Sequence, residues 1–395
     1  MLGGPSFQEL PDQSGIAIGQ AAESTNPHAH AMPPFLLSAL EVLVGIGLLF
    51  GGGELFVQGA VTLALVFGIP QLVIGLTVVS LGTSAPEFFV SIGSVLRQSD
   101  ALAVSNVVGS NIFNVMVVLG SSALVLPLQV ESRLVRRDVP LLLAVSAAVW
   151  GMASSGTVTW QAGVALLLAL VINTVWEIRT AREEPEEMEN AEPEIDAETA
   201  DEGWFKASIR LLAGILVLGF GANLLVKGAS AVALQLGVSE AVVGLTIVSA
   251  GTSMPELITS LVAALKGRTD LAIGNVVGSC LLNLLLVLGG GAIAAGARGL
   301  QVSPELIHDD LPVMLLTCLA CFPIFWTKGA ISRLEGGILV GLYLVYLTDN
   351  VLPRTMFASY SDEFRLVALC LVLPIVMVVI TTQALVYWRQ VRHQR

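Results

Sequence analysis

A thirteen-residue segment of this chain occurs twice with three changes. Gly75 to Glu87 (GLTVVSLGTSAPE) recurs 169 positions later as Gly244 to Glu256 (GLTIVSAGTSMPE). At the same offset Asn106-Val107-Val108-Gly109-Ser110 recurs as Asn275-Val276-Val277-Gly278-Ser279, and Asn114 recurs as Asn283. Both copies sit inside apolar runs long enough to cross a bilayer. A carboxylate, hydroxyls and amides are thus carried to membrane depth once per half, where such groups are costly and mark an ion or substrate path. Interrupted spans with Gly and Pro at matching places in two halves point to a transporter site.

The composition agrees with a membrane setting. Only 13% of the 395 residues are charged and 54% are hydrophobic, against about 25% charged in a soluble domain. The net charge of −12 is local, because residues 183–202 hold eleven acids and no Lys or Arg, and without them the balance is −1. The acidity belongs to one loop and implies neither nucleic acid nor a basic partner. Cys280, Cys318, Cys321 and Cys370 all fall in apolar spans. Cys318-x-x-Cys321 lies one turn apart on a membrane helix and reads as small packing residues rather than a redox pair. Residues 1–34, with His28 and His30, lack the basic start and apolar core of a signal peptide and read as a disordered tail.

The apolar runs place spans at about 38–66, 71–97, 101–127, 138–155, 159–179, 208–235, 240–266, 270–297, 309–327, 332–352 and 364–387. The repeat extends beyond the motif. Leu55 to Ala60 matches Leu224 to Ala229, and Arg137-Asp138-Val139-Pro140 resembles Asp309-Asp310-Leu311-Pro312. Each repeat therefore holds five spans, and an odd number makes the second copy enter from the opposite side. The expected fold is an all-α polytopic membrane protein of two inverted five-helix repeats plus an eleventh C-terminal transmembrane helix. Its parts are the tail 1–34, the first repeat 35–182, an acidic cytoplasmic linker 183–207, the second repeat 208–352, and an extra helix with a basic end, 353–395. With the N-terminus outside, fourteen Lys and Arg residues fall inside against four outside, which is the positive-inside bias and puts the C-terminus in the cytoplasm. The expected location is the cell inner membrane. The linker's charge argues for disorder, and it lacks the spacing of an EF-hand.

In Gly82-Thr83-Ser84-Ala85-Pro86-Glu87, Gly loosens the helix and Pro removes a backbone donor, so upstream carbonyls lose their partners. Such backbone is tolerated at membrane depth only where it is buried in protein or lines a polar cavity. Gly251 to Glu256 offers the same parts. Ser84-x-x-Glu87 and Ser253-x-x-Glu256 also have the spacing of capping boxes. A Gln would cap without burying a charge, so the duplicated Glu favours a cation. Calcium takes 6–8 oxygens. Two carboxylates with two freed carbonyls give about six, and a charge of −2 balances one Ca²⁺. Sodium prefers fewer, mostly neutral oxygens. Thr83, Ser84, Ser110, Thr252, Ser253 and Ser279 supply hydroxyls, and Asn114 and Asn283 supply amide carbonyls. Ser110 with Asn114, and Ser279 with Asn283, are spaced i, i+4 on one helix face. No Cys or His joins the cluster, which argues against zinc or copper. Asn106 and Asn275 are read as helix-to-helix bonds, Gly109 and Gly278 as close-packing positions, and Glu54 and Lys227 as snorkelling charges.

The motifs G-x-S-A-P-E and N-V-V-G-S-N-x-x-N, repeated beyond an acidic loop as G-x-S-M-P-E and N-V-V-G-S-C-x-x-N, resemble the alpha repeats of the cation/calcium antiporter superfamily, with prokaryotic sodium/calcium exchanger-like proteins the nearest in look. The resemblance covers about residues 38–352. It implies a ten-helix inverted-repeat fold with four central cation positions. The calcium position is implied at Glu87 and Glu256 with backbone oxygens of Thr83 and Thr252. One sodium position is implied at Ser80, Thr83, Ser84, Glu87 and Ser110, its mirror at Ser249, Thr252, Ser253, Glu256 and Ser279, and a middle position at Asn114 and Asn283. The resemblance also implies that spans 1 and 6 slide against the rest. Many relatives carry Asp where this chain has Asn283, and the eleventh span is a second departure.

The resulting expectation is a secondary active antiporter exchanging Na⁺ for Ca²⁺ at one shared midplane site. H⁺/Ca²⁺ exchange is the alternative, since carboxylates carry protons too. A cation channel gathers its ligands around an axis between subunits, whereas one chain here supplies both halves. No nucleophile–base arrangement or nucleotide motif suggests an enzyme. No cofactor is expected. The partners are the transported Ca²⁺ and Na⁺, with K⁺ or H⁺ as other coupling ions, and the lipid bilayer.

Overall fold

The computed structural model describes residues 34–183, 203–237, 246–247, 249–326, 329–355 and 357–372, with isolated positions up to 382. The polar tail, most of the acidic linker and the later part of the eleventh span lie outside the described residues. The helices are α1 (Pro34–Phe67), α2 (Gln71–Thr83), α3 (Ala85–Leu96), α4 (Asp100–Val125), α5 (Val139–Ala153), α6 (Trp160–Glu183), α7 (Trp204–Gln235), α8 (Met254–Leu265), α9 (Thr269–Arg298), α10 (Leu311–Trp326), α11 (Arg333–Val351) and α12 (Ser361–Val367). Of these, α1, α4, α6, α7 and α9 are long and apolar enough to cross a membrane, and α2 with α3 forms a further span bent by 46°. The chain is a multi-pass helical membrane protein.

The chain is mostly helical, but the all-α expectation leaves out short strands. Four two-residue strands follow or precede the helices: β1 (Leu128–Gln129), β2 (Thr157–Val158), β3 (Leu300–Gln301) and β4 (Ala330–Ile331). They pair antiparallel as β1 with β4 and β2 with β3, with Leu128 opposite Ile331 and Val158 opposite Leu300. Each ribbon therefore takes one strand from either side of the acidic linker. The Leu-Gln-Val of β1 and the Leu-Gln-Val of β3 are the same tripeptide, too short to announce a strand by alternation.

The centre of the molecule is α4 and α9, which are 78% and 94% buried through their most apolar stretches, against 22% for α1 and 28% for α7. Close approach makes this core. A Cβ on Gly274 of α9 would fall 2.7 Å from the Leu72 carbonyl oxygen, and one on Gly278 would fall 2.6 Å from that of Leu76. The backbones of α9 and α2 thus touch, as the small-residue reading of Gly278 expects.

A second glycine seam was not anticipated. Gly45, Gly52 and Gly59 of α1 are spaced by seven, and 169 positions later Gly214, Gly221 and Gly228 occupy α7. Seven residues are two helical turns, so each set lines one stripe. The two stripes face each other along an antiparallel crossing. A Cβ on Gly59 would lie 2.7 Å from the Leu211 nitrogen, one on Gly214 2.6 Å from the Phe56 nitrogen, and one on Gly228 2.7 Å from the Ser38 oxygen. Helices whose backbones meet along three successive contacts form a tight pair.

Charged residues pin the helix ends. Arg133 donates to Glu177 at 2.6 Å, and Arg137 bonds the other oxygen of Glu177, reaches the Asn173 amide oxygen at 2.8 Å and stacks over Trp176. Glu177 is 1% exposed, so this pairing is what permits its burial. On the other side, Arg298 at the end of α9 grips Asp100 at the start of α4, and the Gln301 N–H donates to the same carboxylate at 3.0 Å.

Candidate cation site

Both repeated motifs break their helix at the Ser before Ala-Pro-Glu or Met-Pro-Glu. Ser84 has φ −82° and ψ 5°, and Ser253 has φ −91° and ψ 10°. Pro86 and Pro255 open α3 and α8, where a residue without an N–H is tolerated, and each denies a partner to the carbonyl four residues upstream. Glu87 and Glu256 lie in the first turns that follow. Both are 0% exposed.

The two carboxylates are bound crosswise. Ser84 donates to Glu256 Oε1 at 2.9 Å, and Ser253 donates to Glu87 Oε1 at 3.0 Å. Each serine therefore serves the glutamate of the other motif. The capping boxes suggested by the Ser-x-x-Glu spacing do not form, since neither Ser84 nor Ser253 makes a side-chain cap bond to its own helix. A capping box does form in this chain, at Ser332 and Glu335. The difference is physical: Ser332 accepts from the Glu335 N–H at the start of α11, whereas the motif serines donate to a buried carboxylate across the break, and a hydrogen bond to an ionised acceptor is about twice as strong as a neutral one.

Around this pair the remaining candidates fall as follows. Ser110 Oγ is 3.0 Å from Ser253 Oγ, and Ser279 Oγ is 3.4 Å from Thr83 Oγ1. Thr83 donates to the Asn275 amide oxygen at 3.1 Å, and Thr252 to that of Asn106 at 3.3 Å. Ser80 donates to the Gly75 carbonyl at 2.5 Å and approaches the Asn275 carbonyl at 3.1 Å, so it ties α2 to α9. The side chain of Ser249 lies outside the described residues. Asn106 donates to Ser91 at 3.0 Å and toward the Glu87 carbonyl at 3.4 Å; Asn275 repeats this with Ser260 at 2.8 Å and the Glu256 carbonyl at 3.3 Å. These two asparagines brace helix to helix, as expected. Ser91 and Ser260 were missed, although they repeat at the same offset of 169.

Six polar atoms at the centre have no hydrogen-bond partner among the described residues: Oε2 of Glu87, Oε2 of Glu256, and both amide atoms of Asn114 and of Asn283. All four residues are 0% exposed. Unpartnered buried polar atoms are rare, and the four oxygens among these six are free to accept a cation. Asn114 and Asn283 each begin a π-helical stretch, Asn114–Leu119 and Asn283–Val287, a distortion found often at functional sites. The donor set is all oxygen from carboxylate, amide and hydroxyl, which suits a hard cation such as Na⁺ or Ca²⁺. The three buried cysteines, Cys280, Cys318 and Cys321, are free thiols, with Cys318 sulfur 3.6 Å from Ser146 Oγ. Glu54 and Lys227, read as snorkelling, are ion-paired to Lys266 at 2.9 Å and Glu41 at 2.6 Å.

Similarity to known proteins agrees with this geometry. Residues 37–179 and 206–351 match the family described as sodium/calcium exchanger protein. The inner membrane protein YrbG of Escherichia coli is 32% identical over 80% of this chain and 99% of its own length. The putative antiporter CaxA of Alkalimonas amylolytica is 35% identical over 79% of this chain and 98% of its own. The sodium/calcium exchanger MaX1 of Methanosarcina acetivorans is 29% identical over 78% and 97%. Among solved structures, the sodium-calcium exchanger NCX_Mj soaked with Na⁺ and Sr²⁺ superposes with a TM-score of 0.67 at 28% identity, covering 79% of this chain and 98% of that one. With the repeated motifs, the buried oxygen cluster and a family match on both halves all in agreement, the chain belongs to the sodium/calcium exchanger protein family.

Proposed function

We propose that this protein is a secondary active antiporter that exchanges Na⁺ for Ca²⁺ through one site at the membrane midplane. The observation that carries the reading is the crosswise Ser84–Glu256 and Ser253–Glu87 pairing, which brings two carboxylates together and leaves one oxygen of each without a protein partner. Glu87 and Glu256 hold the divalent ion with backbone oxygens of Thr83 and Thr252. Ser80, Thr83, Ser84 and Ser110, and in mirror Ser249, Thr252, Ser253 and Ser279, serve the monovalent ions, and Asn114 and Asn283 flank the middle. Both ions need the same carboxylates, so they compete, and that competition couples the fluxes. The number of neutral hydroxyl oxygens supports Na⁺ over H⁺ as the coupling ion. Access alternates by sliding of the α1/α7 pair against the rest of the two inverted five-helix repeats in the inner membrane, with the N-terminus outside.

The test is Ca²⁺ flux in proteoliposomes of the full chain with Na⁺, K⁺ and H⁺ gradients imposed one at a time. Uptake driven by the Na⁺ gradient is expected. Uptake driven by the pH gradient alone replaces Na⁺ with H⁺, and flux that ignores every counter-ion gradient overturns antiport.

A further inference from the structure

The two ends of the α1/α7 pair are chemically unequal although their sequences repeat. On α1, Glu54 forms an ion pair with Lys266 at the C-terminal end of α8, at 2.9 Å. The positions 169 residues away are Asn223 for Glu54 and Arg97 for Lys266. Neither of those side chains makes a hydrogen bond or ion pair among the described residues, and both are exposed. Arg97 therefore keeps the basic member of the pair, while the carboxylate that would face it is an amide.

The packing differs in the same sense. Ile258 of α8 is 7% exposed, whereas its repeat counterpart Phe89 of α3 is 72% exposed. A Cβ on Gly53 of α1 would lie 3.0 Å from Ile258 Cγ2 and 3.5 Å from Val262 Cγ2. The counterpart of Val262 is Gly93, which has nothing within 4 Å of the equivalent point. The pair leans on α8 at the Lys266 end and stands clear of α3 at the Arg97 end. Because α1 and α7 are joined through facing glycine backbones, a contact made by α1 alone positions both.

We propose that Glu54–Lys266 is a one-sided latch that holds the α1/α7 pair against α8 and biases the protein toward the state in which the Lys266 end is shut. The proposal rests on the alternating-access reading above. The Lys and Arg distribution assigns that end to the cytoplasm. Both side chains are partly exposed, at 35% for Lys266 and 57% for Glu54, so the latch sets a population ratio rather than locking one state. An exposed ion pair shifts an equilibrium by about two- to fivefold.

The experiment reads maleimide labelling of the full chain in nanodiscs free of Na⁺ and Ca²⁺, on a Cys370→Ser background, with Ile258→Cys as the probe of the latched end and Phe89→Cys as the probe of the other. Glu54→Gln and Lys266→Gln each raise the Ile258→Cys labelling rate by about two- to fivefold. Exchanging the charges, Glu54→Lys with Lys266→Glu, returns the rate to its starting value. Asn223→Glu places a carboxylate opposite Arg97 and slows labelling of Phe89→Cys. Unchanged Ile258→Cys labelling in both neutral variants, or a rise that charge exchange does not reverse, overturns the latch. The readout needs no transported ion, so its failure with counter-ion-coupled Ca²⁺ flux intact removes the latch and leaves the exchanger reading standing, while loss of that coupling with the labelling shifts intact does the reverse.

Discussion

Ser253 and Glu87 are 166 residues apart in the chain, yet the serine hydroxyl sits 3.0 Å from the glutamate Oε1, and Ser84 reaches Glu256 in return. This exchange of partners makes each carboxylate's orientation depend on the other half of the protein. Neither half alone positions its own glutamate.

Replacing the charge while keeping the shape tests the centre. Glu87→Gln or Glu256→Gln keeps a hydrogen-bond acceptor for the serine but removes one of the two carboxylate charges of the proposed cation position. Na⁺-gradient-driven uptake of radioactive calcium into proteoliposomes is expected to fall to background in both variants. Uptake at the normal rate by both removes these residues from the site.

Ser84→Ala and Ser253→Ala separate the crosswise bond from a cap. Loss of a hydrogen bond to a charged group corresponds to about 1.5–3 kcal/mol, or roughly tenfold or more in Ca²⁺ affinity. A lost cap instead lowers stability by about 1 kcal/mol and leaves affinity alone. The apparent KM for Ca²⁺ and the melting temperature, measured on the same preparations, distinguish the two; the expected change is in KM.

The α1/α7 seam predicts a sharp contrast between glycines of one helix. A methyl group at Gly59 meets the Leu211 backbone nitrogen at 2.7 Å, whereas at Gly47 it meets nothing within 4 Å. Gly59→Ala is expected to destabilise by about 1–3 kcal/mol, as overpacking does. Gly47→Ala is expected to be neutral or to stabilise by up to about 1 kcal/mol through helix propensity. Thermal unfolding of the two variants in detergent checks the pair.

Arg137→Gln removes one of two arginines from the buried Glu177. Breaking a buried pair costs about 3–5 kcal/mol, with the lower end expected because Arg133 remains at 2.6 Å. Adding Glu177→Gln discharges the orphaned carboxylate and is expected to recover part of the loss. A double variant no more stable than Arg137→Gln alone refutes the pairing as the cause.

The site was legible in the sequence because its parts repeat. A Glu after Gly-Thr-Ser-x-Pro is unremarked once, but twice at one offset inside apolar runs it identifies the buried carboxylates, and the bent α2–α3 span follows from the same Gly and Pro. The glycines at 45, 52 and 59 and at 214, 221 and 228 were equally available but carry no charge to draw attention at membrane depth. The partner of each motif serine was not legible. Ser-x-x-Glu spacing names a local bond, and only the approach of two helix breaks in space supplies a competing acceptor. The same holds for Glu54, whose position near a helix end predicts snorkelling until Lys266 is seen beside it. Strands of two residues leave no periodicity to read.

The small ribbons have a further consequence. Each joins a strand from before the acidic linker to one from after it, and the central serines and glutamates are shared in the same manner. Severing the peptide chain between residues 184 and 202 would remove one covalent tether and none of these attachments. Two separately translated fragments ending and beginning there are equipped to assemble as a heterodimer.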